Sequence, residues 1–395
     1  MRILLIHNKY QQKGGEDVVF GAEGELMASH GHTVERLLFD NSQIKSAKDV
    51  ILSGIGSVYN VQSANRVDAV IRFFQPDIIH VHNFFPLASP AVFFVAAKFG
   101  VPVIVTLHNY RLICPSYSLY YDGKIYEKSI HKVFPIDAIL KGVYRESKIQ
   151  TASTVLMTGI HKLTGTWKNK VDRYIVLTEF AKNKFLDSSL QVPTEQLIVK
   201  PNFTDDLGIG EEQRENFFLF IGRLTGEKGI QTVLDAAATG KFTLKIIGDG
   251  PLKETVESYA ARYPNILYAG FQQKPFIISE LKKCRALVFP SVWYEGFPMT
   301  ILEAFSTGTP VITSKLGGMA EIVDDLQNGL HFLPGNSADL VDKIQVLSAD
   351  AKLSIQLGKQ ARQDYLDKYT PEKNYTLLLS IYEQAIAAKK HKQPA

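Results

Sequence analysis

Residues 295–303 read Glu-Gly-Phe-Pro-Met-Thr-Ile-Leu-Glu and place two carboxylates eight positions apart across a Gly-Phe-Pro corner. An apolar run at Ala286–Pro290 precedes this corner, and helical spacing of apolar residues begins at Ile301. Pro298 suits the first position of a helix, because the N–H that proline lacks would have no partner there. The stretch predicts a strand, a loop and a helix N-terminus, whose free N–H groups and dipole favour a phosphate. Eight helical steps leave the two glutamates about 80° apart, so we expect them to have different roles.

A second predicted strand-to-helix turn carries two cations. The apolar run Phe217–Ile221 is followed by Gly222-Arg-Leu-Thr-Gly-Glu-Lys-Gly229, and helical periodicity returns over Ile230–Ala238. A glycine-rich turn lets backbone N–H groups approach a diphosphate closely. Arg223 and Lys228 would then balance the charge that grows on a diphosphate leaving group.

Strand-like runs alternate with helical patterns along the whole chain, which is typical of parallel sheets covered by helices. The predicted strands are Ile3–Ile6, Ile78–Val81, Pro102–Leu107, Tyr174–Leu177, Phe217–Ile221, Leu244–Ile247, Ile266–Tyr268, Ala286–Phe289 and Pro310–Thr313, with helices between several of them, as at Val18–Ala28 and Val67–Phe74. We predict an α/β fold of two Rossmann-like, doubly wound domains that face each other across a cleft. The domains would span residues 1–200 and 201–370, with a linker in the polar stretch 202–216 and a C-terminal helix and tail over 371–395.

Composition indicates a globular protein outside the secreted and membrane-spanning classes. The chain has 395 residues, 45% hydrophobic and 21% charged, which favours two domains. The N-terminal apolar run is too short for a signal peptide, and the longest nearly apolar stretch, 84–97, is too short and too rich in proline for a membrane helix. Two cysteines, Cys114 and Cys284, do not make a disulfide scaffold. We therefore predict a cytoplasmic protein.

The net charge of +4 is unevenly distributed. Residues 1–200 contain 23 Lys and Arg against 17 Asp and Glu, a balance of +6, and the remainder contains 21 against 23, a balance of −2. Most of the excess lies in the basic region 124–184, where tyrosines and phenylalanine alternate with lysines. This region is a solvated basic surface, or it is a patch that faces an anionic partner. That partner would be the cytoplasmic side of an anionic membrane or a lipid-pyrophosphate acceptor. We predict no nucleic-acid binding, because no recognition motif accompanies the charge.

The two glycine-containing motifs together resemble the glycosyltransferase family 4, also called group 1 glycosyltransferases. The likeness lies in the Gly-Arg-x(4)-Lys-Gly turn at 222–229 and the Glu-x(7)-Glu motif at 295–303, with Ile246-Ile-Gly-Asp-Gly-Pro251 between them and Gly308-Thr-Pro-Val-Ile-Thr313 after them. The specific resemblance covers about residues 217–335. It implies the GT-B fold, an acceptor-binding first domain, a nucleotide-sugar donor domain, and a last helix that crosses back to the first domain.

The resemblance also implies a reaction, in which a sugar is transferred from a UDP- or GDP-linked donor by front-face attack and keeps its anomeric configuration. It further implies roles for single residues in this reaction. Glu295 would contact the donor sugar and its positive centre, and Glu303 the ribose hydroxyls. His108 would orient the sugar from the first domain. The predicted catalytic residues are Glu295, His108, Arg223 and Lys228, and the predicted donor-binding residues are Gly14, Gly15, Gly222, Gly248, Gly250, Gly296, Phe297, Met299, Thr300, Ile301 and Glu303.

Several of these residues have a structural alternative. The Gly14-Gly15 pair after the first strand is either an ordinary turn or the family's cleft-floor loop. His108 is either structural or a sugar-binding residue, and the residue after it is Asn109 where the family usually has Asp, which leaves the partner of His108 open. His80 and His82 share one strand face, but no cysteine or acidic residue is near them in the sequence, so we predict no metal site. The chain also has no Asp-x-Asp triplet, and we expect metal-independent catalysis without a cofactor.

Three other functions remain as alternatives. A nucleotide-sugar 2-epimerase would use the same diphosphate pocket without an acceptor, and a non-catalytic binding protein would use it without chemistry. A dehydrogenase is disfavoured because no Gly-x-Gly-x-x-Gly follows a strand with an acidic residue about 20 positions on. The basic aromatic segment favours a transferase with a glycan or lipid-linked acceptor, in cell-surface polysaccharide biosynthesis.

Overall fold

The computed structural model describes residues 1–9, 14–43 and 46–392. They form two compact units, one of residues 1–121, 126–201 and 374–395, and one of residues 122–125 and 202–373.

The first unit is built on a six-stranded parallel sheet with strand order β2-β1-β3-β4-β7-β8. Its strands are β1 (Arg2–Lys9), β2 (Thr33–Asp40), β3 (Ile78–Val81), β4 (Val103–Thr106), β7 (Arg173–Val176) and β8 (Leu197–Val199), and a separate two-stranded sheet pairs β5 (Tyr120–Tyr121) with β6 (Lys124–Ile125). The central strands β3 and β4 are wholly buried, as expected for a parallel sheet that is covered on both faces.

The helices of this unit are α1 (Gly15–Ser29), α2 (Ala47–Gly56), α3 (Val61–Phe74), α4 (Ala91–Lys98), α5 (Ile136–Lys141), α6 (Lys148–Leu163), α7 (Thr166–Asn169) and α8 (Glu179–Leu186). Residues 374–392, which form most of the last helix of the chain, also belong to it. Leu378, Ile381 and Tyr382 of that segment are buried in one apolar cluster with Ile3 and Leu5 of β1. The C-terminal segment therefore completes the core of the first unit.

The second unit is a six-stranded parallel sheet with strand order β11-β10-β9-β12-β13-β14. Its strands are β9 (Phe218–Ile221), β10 (Leu244–Ile247), β11 (Ile266–Tyr268), β12 (Ala286–Phe289), β13 (Val311–Ser314) and β14 (Gly329–Phe332). Its helices are α9 (Ile230–Ala237), α10 (Lys253–Arg262), α11 (Lys274–Lys283), α12 (Met299–Ser306), α13 (Met319–Ile322), α14 (Ser337–Ala349) and α15 (Ala351–Asp364), followed by a π-helical turn at Tyr365–Tyr369. The last helix, α16 (Pro371–Lys392), starts in this unit, and its residues 374–392 belong to the first unit. Alternate residues of β9 enter two different apolar clusters, so helices cover both faces of the sheet.

Both strand orders contain a point at which the direction of winding reverses. In the second unit this switch point lies between β9 and β12, and in the first unit it lies between β1 and β3. Ligands of doubly wound sheets bind outside the carboxyl ends of the strands at such a point.

The predicted α/β class with two parallel-sheet domains is confirmed. The two ends of each predicted strand lie within three residues of the ends of an observed strand. Three described strands of the two six-stranded sheets were not predicted, namely β2, β8 and β14, and all three lie at sheet edges. The short strands β5 and β6 of the two-stranded sheet were not predicted either. An edge strand is covered less completely, so its sequence need not be a continuous apolar run, as the largely exposed β2 shows.

Candidate active site

The loops after β9, β10 and β12 lie side by side at the carboxyl edge of the second sheet, because these three strands are neighbours in it. The loop after β10 touches the loop after β9 backbone to backbone. A Cβ on Gly248 would lie 1.9 Å from the carbonyl oxygen of Gly222, and one on Gly250 would lie 2.7 Å from that of Leu224. The Leu224 N–H donates to the Asp249 carbonyl over 3.0 Å. Glycine is therefore required at 248, where a side chain would separate the two loops.

The turn after β9 is also fixed against the loop after β12. Gly229 has a φ of +71°, and a Cβ there would lie 1.9 Å from the carbonyl oxygen of Pro290. The Val292 N–H donates to the Glu227 carbonyl over 2.9 Å. These contacts place Lys228, the residue between Glu227 and Gly229, directly beside the segment that leads to Glu295.

Lys228 and Glu295 form an ion pair. The Lys228 Nζ lies 2.8 Å from Glu295 Oε1 and 3.0 Å from Oε2. Ser291 Oγ donates to the same Oε1 over 2.6 Å, and Trp293 Nε1 donates to it over 2.8 Å. Glu295 is only 7% exposed. The four hydrogen bonds from Lys228, Ser291 and Trp293 hold its buried carboxylate in one orientation.

Lys228 and Glu295, two of the four predicted catalytic residues, therefore contact each other, which their separate motifs did not indicate. Ser291 and Trp293 were missed. Their signal was their position, because both lie in the short loop between a buried strand and the Glu-x(7)-Glu motif. Arg223 is exposed at the start of its turn, just after Gly222 at the end of β9.

Helix α12 begins at Met299, and Pro298 is its N-cap rather than its first helical residue. The cap has no side-chain hydrogen bond. The Ile301 N–H donates to the Pro298 carbonyl over 3.0 Å, whereas the amides of Met299 and Thr300 come before the first bonds of an α-helix. The helix therefore presents the predicted phosphate-binding terminus, with Met299 and Thr300 better placed for it than Ile301.

The remaining donor-binding candidates lie on either side of this terminus. Phe297, which follows Gly296, packs against the apolar cluster around α12. Glu303 lies in the second turn of α12, half-buried, with Lys274 Nζ 4.0 Å from its carboxylate. Burial raises the pKa of Glu303 above its ordinary value of 4.5, although Lys274 opposes the shift.

In the first unit, Gly14 is the N-cap of α1 and Gly15 its first residue. The Gly14 N–H donates to Asp17 Oδ2 over 2.8 Å, and Asp17 Oδ1 lies 2.9 Å from His7 Nε2. The two glycines thus lie at the start of α1, the helix that follows β1. Residues 10–13 of the loop before them fall outside the described part of the chain.

His108 follows β4 and is half-buried. Its Nε2 lies 3.1 Å from Nδ1 of His82, and the two rings lie side by side at an angle of 22°, with centroids 5.3 Å apart. The partner that the sequence left open is therefore a second histidine. Asn109, at the position of the family's usual aspartate, accepts the N–H of Arg111 over 3.1 Å instead.

The expectation that no acidic residue lies close to His80 and His82 is wrong, because one lies beside them in the folded chain. Glu23 of α1 is 1% exposed, and its carboxylate, His80 and His82 offer ligand atoms within 4.8 Å of one another. The buried Lys200 Nζ lies 2.7 Å from Glu23 Oε1, so the carboxylate already has a cation beside it. Sequence spacing could not show this group, because Glu23 and Lys200 lie 177 positions apart.

Two doubly wound domains, with glycine-rich loops and an ion pair at the switch point of the second, define a protein of the GT-B class. Sequence profiles identify the family. The profile described as "Glycosyl transferases group 1" matches residues 204–364, and the profile described as "Glycosyltransferase Family 4" matches residues 24–206. The chain belongs to the group 1 glycosyltransferases of family 4, and it is an enzyme of that class.

Individual proteins show the same relationship. An uncharacterized glycosyltransferase of Methanocaldococcus jannaschii is 27% identical over 88% of this chain and 89% of its own length. The lipopolysaccharide 1,6-galactosyltransferase of Escherichia coli K12 is 28% identical over 58% of this chain and 66% of its own length. The crystal structure of Anabaena HepE in complex with UDP aligns with a TM-score of 0.69 and 16% identity over 97% of this chain and 100% of that chain, which shows a shared fold. Within the described residues, no helix is long and apolar enough to cross a bilayer.

Proposed function

We propose that this enzyme transfers a sugar, with retention at the anomeric carbon, from a UDP- or GDP-sugar to a glycan or lipid-linked acceptor in cell-surface polysaccharide biosynthesis. The observation that carries the proposal is the Lys228–Glu295 pair beside the uncapped terminus of α12. A cation and free amides at one sheet edge are suited to a diphosphate. The nucleotide and the pathway are taken from two proteins similar to this one, one crystallised with UDP and one named as a lipopolysaccharide galactosyltransferase.

In this mechanism the bond between the anomeric carbon and the diphosphate oxygen breaks, and the acceptor oxygen forms its bond on the same face. The acceptor's proton passes to the departing phosphate. Lys228, Arg223 and the amides of Met299 and Thr300 stabilise the negative charge on the diphosphate. Because hydrogen bonds engage both carboxylate oxygens of Glu295, we assign it to stabilise the positive centre rather than to act as a covalent nucleophile.

We further propose that the donor chemistry requires no metal ion or other cofactor. The cations and helix amides of the second unit would take the place of a divalent cation.

A cytoplasmic enzyme with a lipid-linked acceptor would work at the inner face of the membrane, and one surface of the first unit fits such contact. Exposed apolar side chains lie on α2 (Ile55, 72% exposed), α5 (Leu140, 68%) and α6 (Leu156, 49%). Helix α2 packs on α6, since a Cβ on Gly54 would lie 2.4 Å from Ser153 Oγ. The same helices lie in or beside the basic region 124–184, so apolar and cationic groups are available together.

Vesicle flotation tests this surface. We expect binding to phosphatidylglycerol vesicles that falls on Leu156→Glu, and little binding to phosphatidylcholine vesicles. Phe271→Glu is the matched control, because Phe271 is 68% exposed in the second unit. An equal loss in both variants, or no preference for anionic vesicles, would contradict the assignment.

The function itself is tested by a donor panel. Thermal shift and nucleotide release would be measured with UDP-, GDP-, ADP- and CDP-sugars, with Glu295→Gln as the inactive comparison. We expect stabilisation by one nucleotide class and slow release of its nucleotide by the wild type alone. Binding without release would indicate a binding protein, and conversion of the donor sugar to its epimer would indicate an epimerase.

A further inference from the structure

A line of buried polar groups connects Lys200 to His108 in the first unit. Lys200 Nζ lies 2.7 Å from Glu23 Oε1, Glu23 Oε2 lies 3.4 Å from His82 Nε2, and His82 Nδ1 lies 3.1 Å from His108 Nε2. Lys200, Glu23 and His82 are at most 3% exposed. The line therefore ends at the one histidine for which the family resemblance implies a role on the donor sugar.

The charge states along this line follow from its burial. Burial lowers the pKa of His80 and of His82, and it brings the pKa of His108 to about 3. Burial alone would raise the pKa of Glu23, but the charge and hydrogen bond of Lys200, together with the neighbouring His82 and His108, outweigh that effect and lower the pKa. At neutral pH the line thus consists of an ammonium, a carboxylate and two neutral imidazoles.

A neutral imidazole carries one N–H, so its neighbours select the nitrogen that bears it. The carboxylate of Glu23 can only accept, which favours the proton of His82 on Nε2. Among the described residues, Glu23 Oε2 and His82 Nε2 have no hydrogen-bond partner, and the 3.4 Å contact between them lacks hydrogen-bond geometry, so Glu23 acts on the His82 ring through its nearby negative charge. His82 Nδ1 is then an acceptor, and His108 must donate to it from Nε2.

His80 supports this arrangement without competing for Glu23. Its Nδ1 lies 2.8 Å from Tyr382 Oη and its Nε2 lies 2.7 Å from Thr106 Oγ1, so both of its nitrogens are engaged elsewhere. Its ring centroid lies 4.3 Å from that of His82, which packs the two rings together.

We propose that Glu23 and His82 are positioning residues that hold His108 in the Nε2–H tautomer, so that His108 Nδ1 accepts a hydrogen bond from a hydroxyl of the donor sugar. The tautomer of His108 follows from contacts within the first unit alone, whereas its hydrogen bond to a donor-sugar hydroxyl rests on the proposed function. The Glu23–Lys200 ion pair keeps the fixing carboxylate charged inside the core. A metal ion on Glu23, His80 and His82 would replace the His82 proton and would put a second buried cation beside the carboxylate that Lys200 already pairs.

The test is a long-range 1H–15N NMR correlation on the full chain with 15N-labelled histidine, with His108 assigned by comparison with His108→Gln. We expect the wild type to show His108 protonated at Nε2. The double variant Glu23→Gln with Lys200→Met removes the carboxylate and its countercharge together, so no unpaired charge is left in the core. We expect a mixture of His108 tautomers in that variant, with a fall in kcat of about threefold to tenfold and a smaller change in KM for the donor.

Tyr382→Phe is the matched control, because it removes the hydroxyl partner of His80 and leaves the line through Glu23 intact. It should leave the His108 tautomer unchanged. His108 protonated at Nδ1 in the wild type, an unchanged tautomer in the double variant, or stoichiometric zinc in the purified protein would overturn the proposal. A changed tautomer with unchanged kcat would overturn its catalytic part, whereas absence of any transfer by the wild type would refute the proposed function and leave the tautomer assignment standing.

Discussion

Removal of the Lys228 ammonium tests the ion pair of the second unit most sharply. In Lys228→Met, Glu295 keeps the hydrogen bonds from Ser291 and Trp293 but loses two contacts of 2.8 and 3.0 Å to a cation. Breaking a buried pair costs about 3–5 kcal/mol, and the 25% exposure of the Lys228 side chain reduces this to about 1–3 kcal/mol. For a unit of this size the melting temperature should fall by about 3–10 °C.

The double variant Lys228→Met with Glu295→Gln separates stability from catalysis. A neutral glutamine needs no countercharge, so calorimetry should show part of the lost stability restored and a coupling free energy of about 1 kcal/mol or more. Activity should not return, because the cation that we propose to stabilise the diphosphate is still absent, and we expect kcat to stay about 100-fold or more below that of the wild type. Additive losses of stability in the two single variants would refute the reasoning.

The remaining predictions concern the loops and the acid–base chemistry. Gly248→Ala should destabilise the second unit by about 3 kcal/mol or more in calorimetry, because its Cβ would meet a carbonyl oxygen at 1.9 Å, whereas Gly226→Ala, with no atom within 4 Å of its Cβ, should be nearly neutral. Because the pKa of Glu303 is raised, the native state holds this proton more tightly than the unfolded chain does, and the free energy of unfolding falls as the pH rises above 4.5. Glu303→Gln should therefore not lower the melting temperature at pH 7. The same substitution should weaken nucleotide binding, as measured by titration calorimetry. Nucleotide release should be unchanged by EDTA, and a loss that Mn²⁺ restores would contradict metal independence.

The local structure of the candidate donor site could be predicted from sequence because each motif is a strand end followed by a helix start. Gly222 and Gly248 directly follow short apolar runs, Glu295 follows a third run after a short loop, and parallel strands bring such ends to one edge. The turn geometry followed as well, since glycine is needed where the loops after β9 and β10 touch.

The partners of these residues could not be predicted in the same way. The pairing of Lys228 with Glu295 joins positions 67 apart, and that of Lys200 with Glu23 joins positions 177 apart. Such contacts depend on strand order, which apolar periodicity does not specify. The histidine partner of His108 was missed for the same reason, because β3 and β4 become neighbours only in the folded sheet.

The stereochemistry of slow donor hydrolysis tests the proposed retaining transfer from a nucleotide sugar most directly, because it needs no known acceptor. The donor chosen by the panel would be incubated with the wild type in EDTA, and the sugar released at early times would be followed by 1H NMR before it mutarotates. We expect the wild type to release the α anomer first from an α-linked donor and Glu295→Gln to release none. Release of the β anomer by the wild type would contradict retaining transfer.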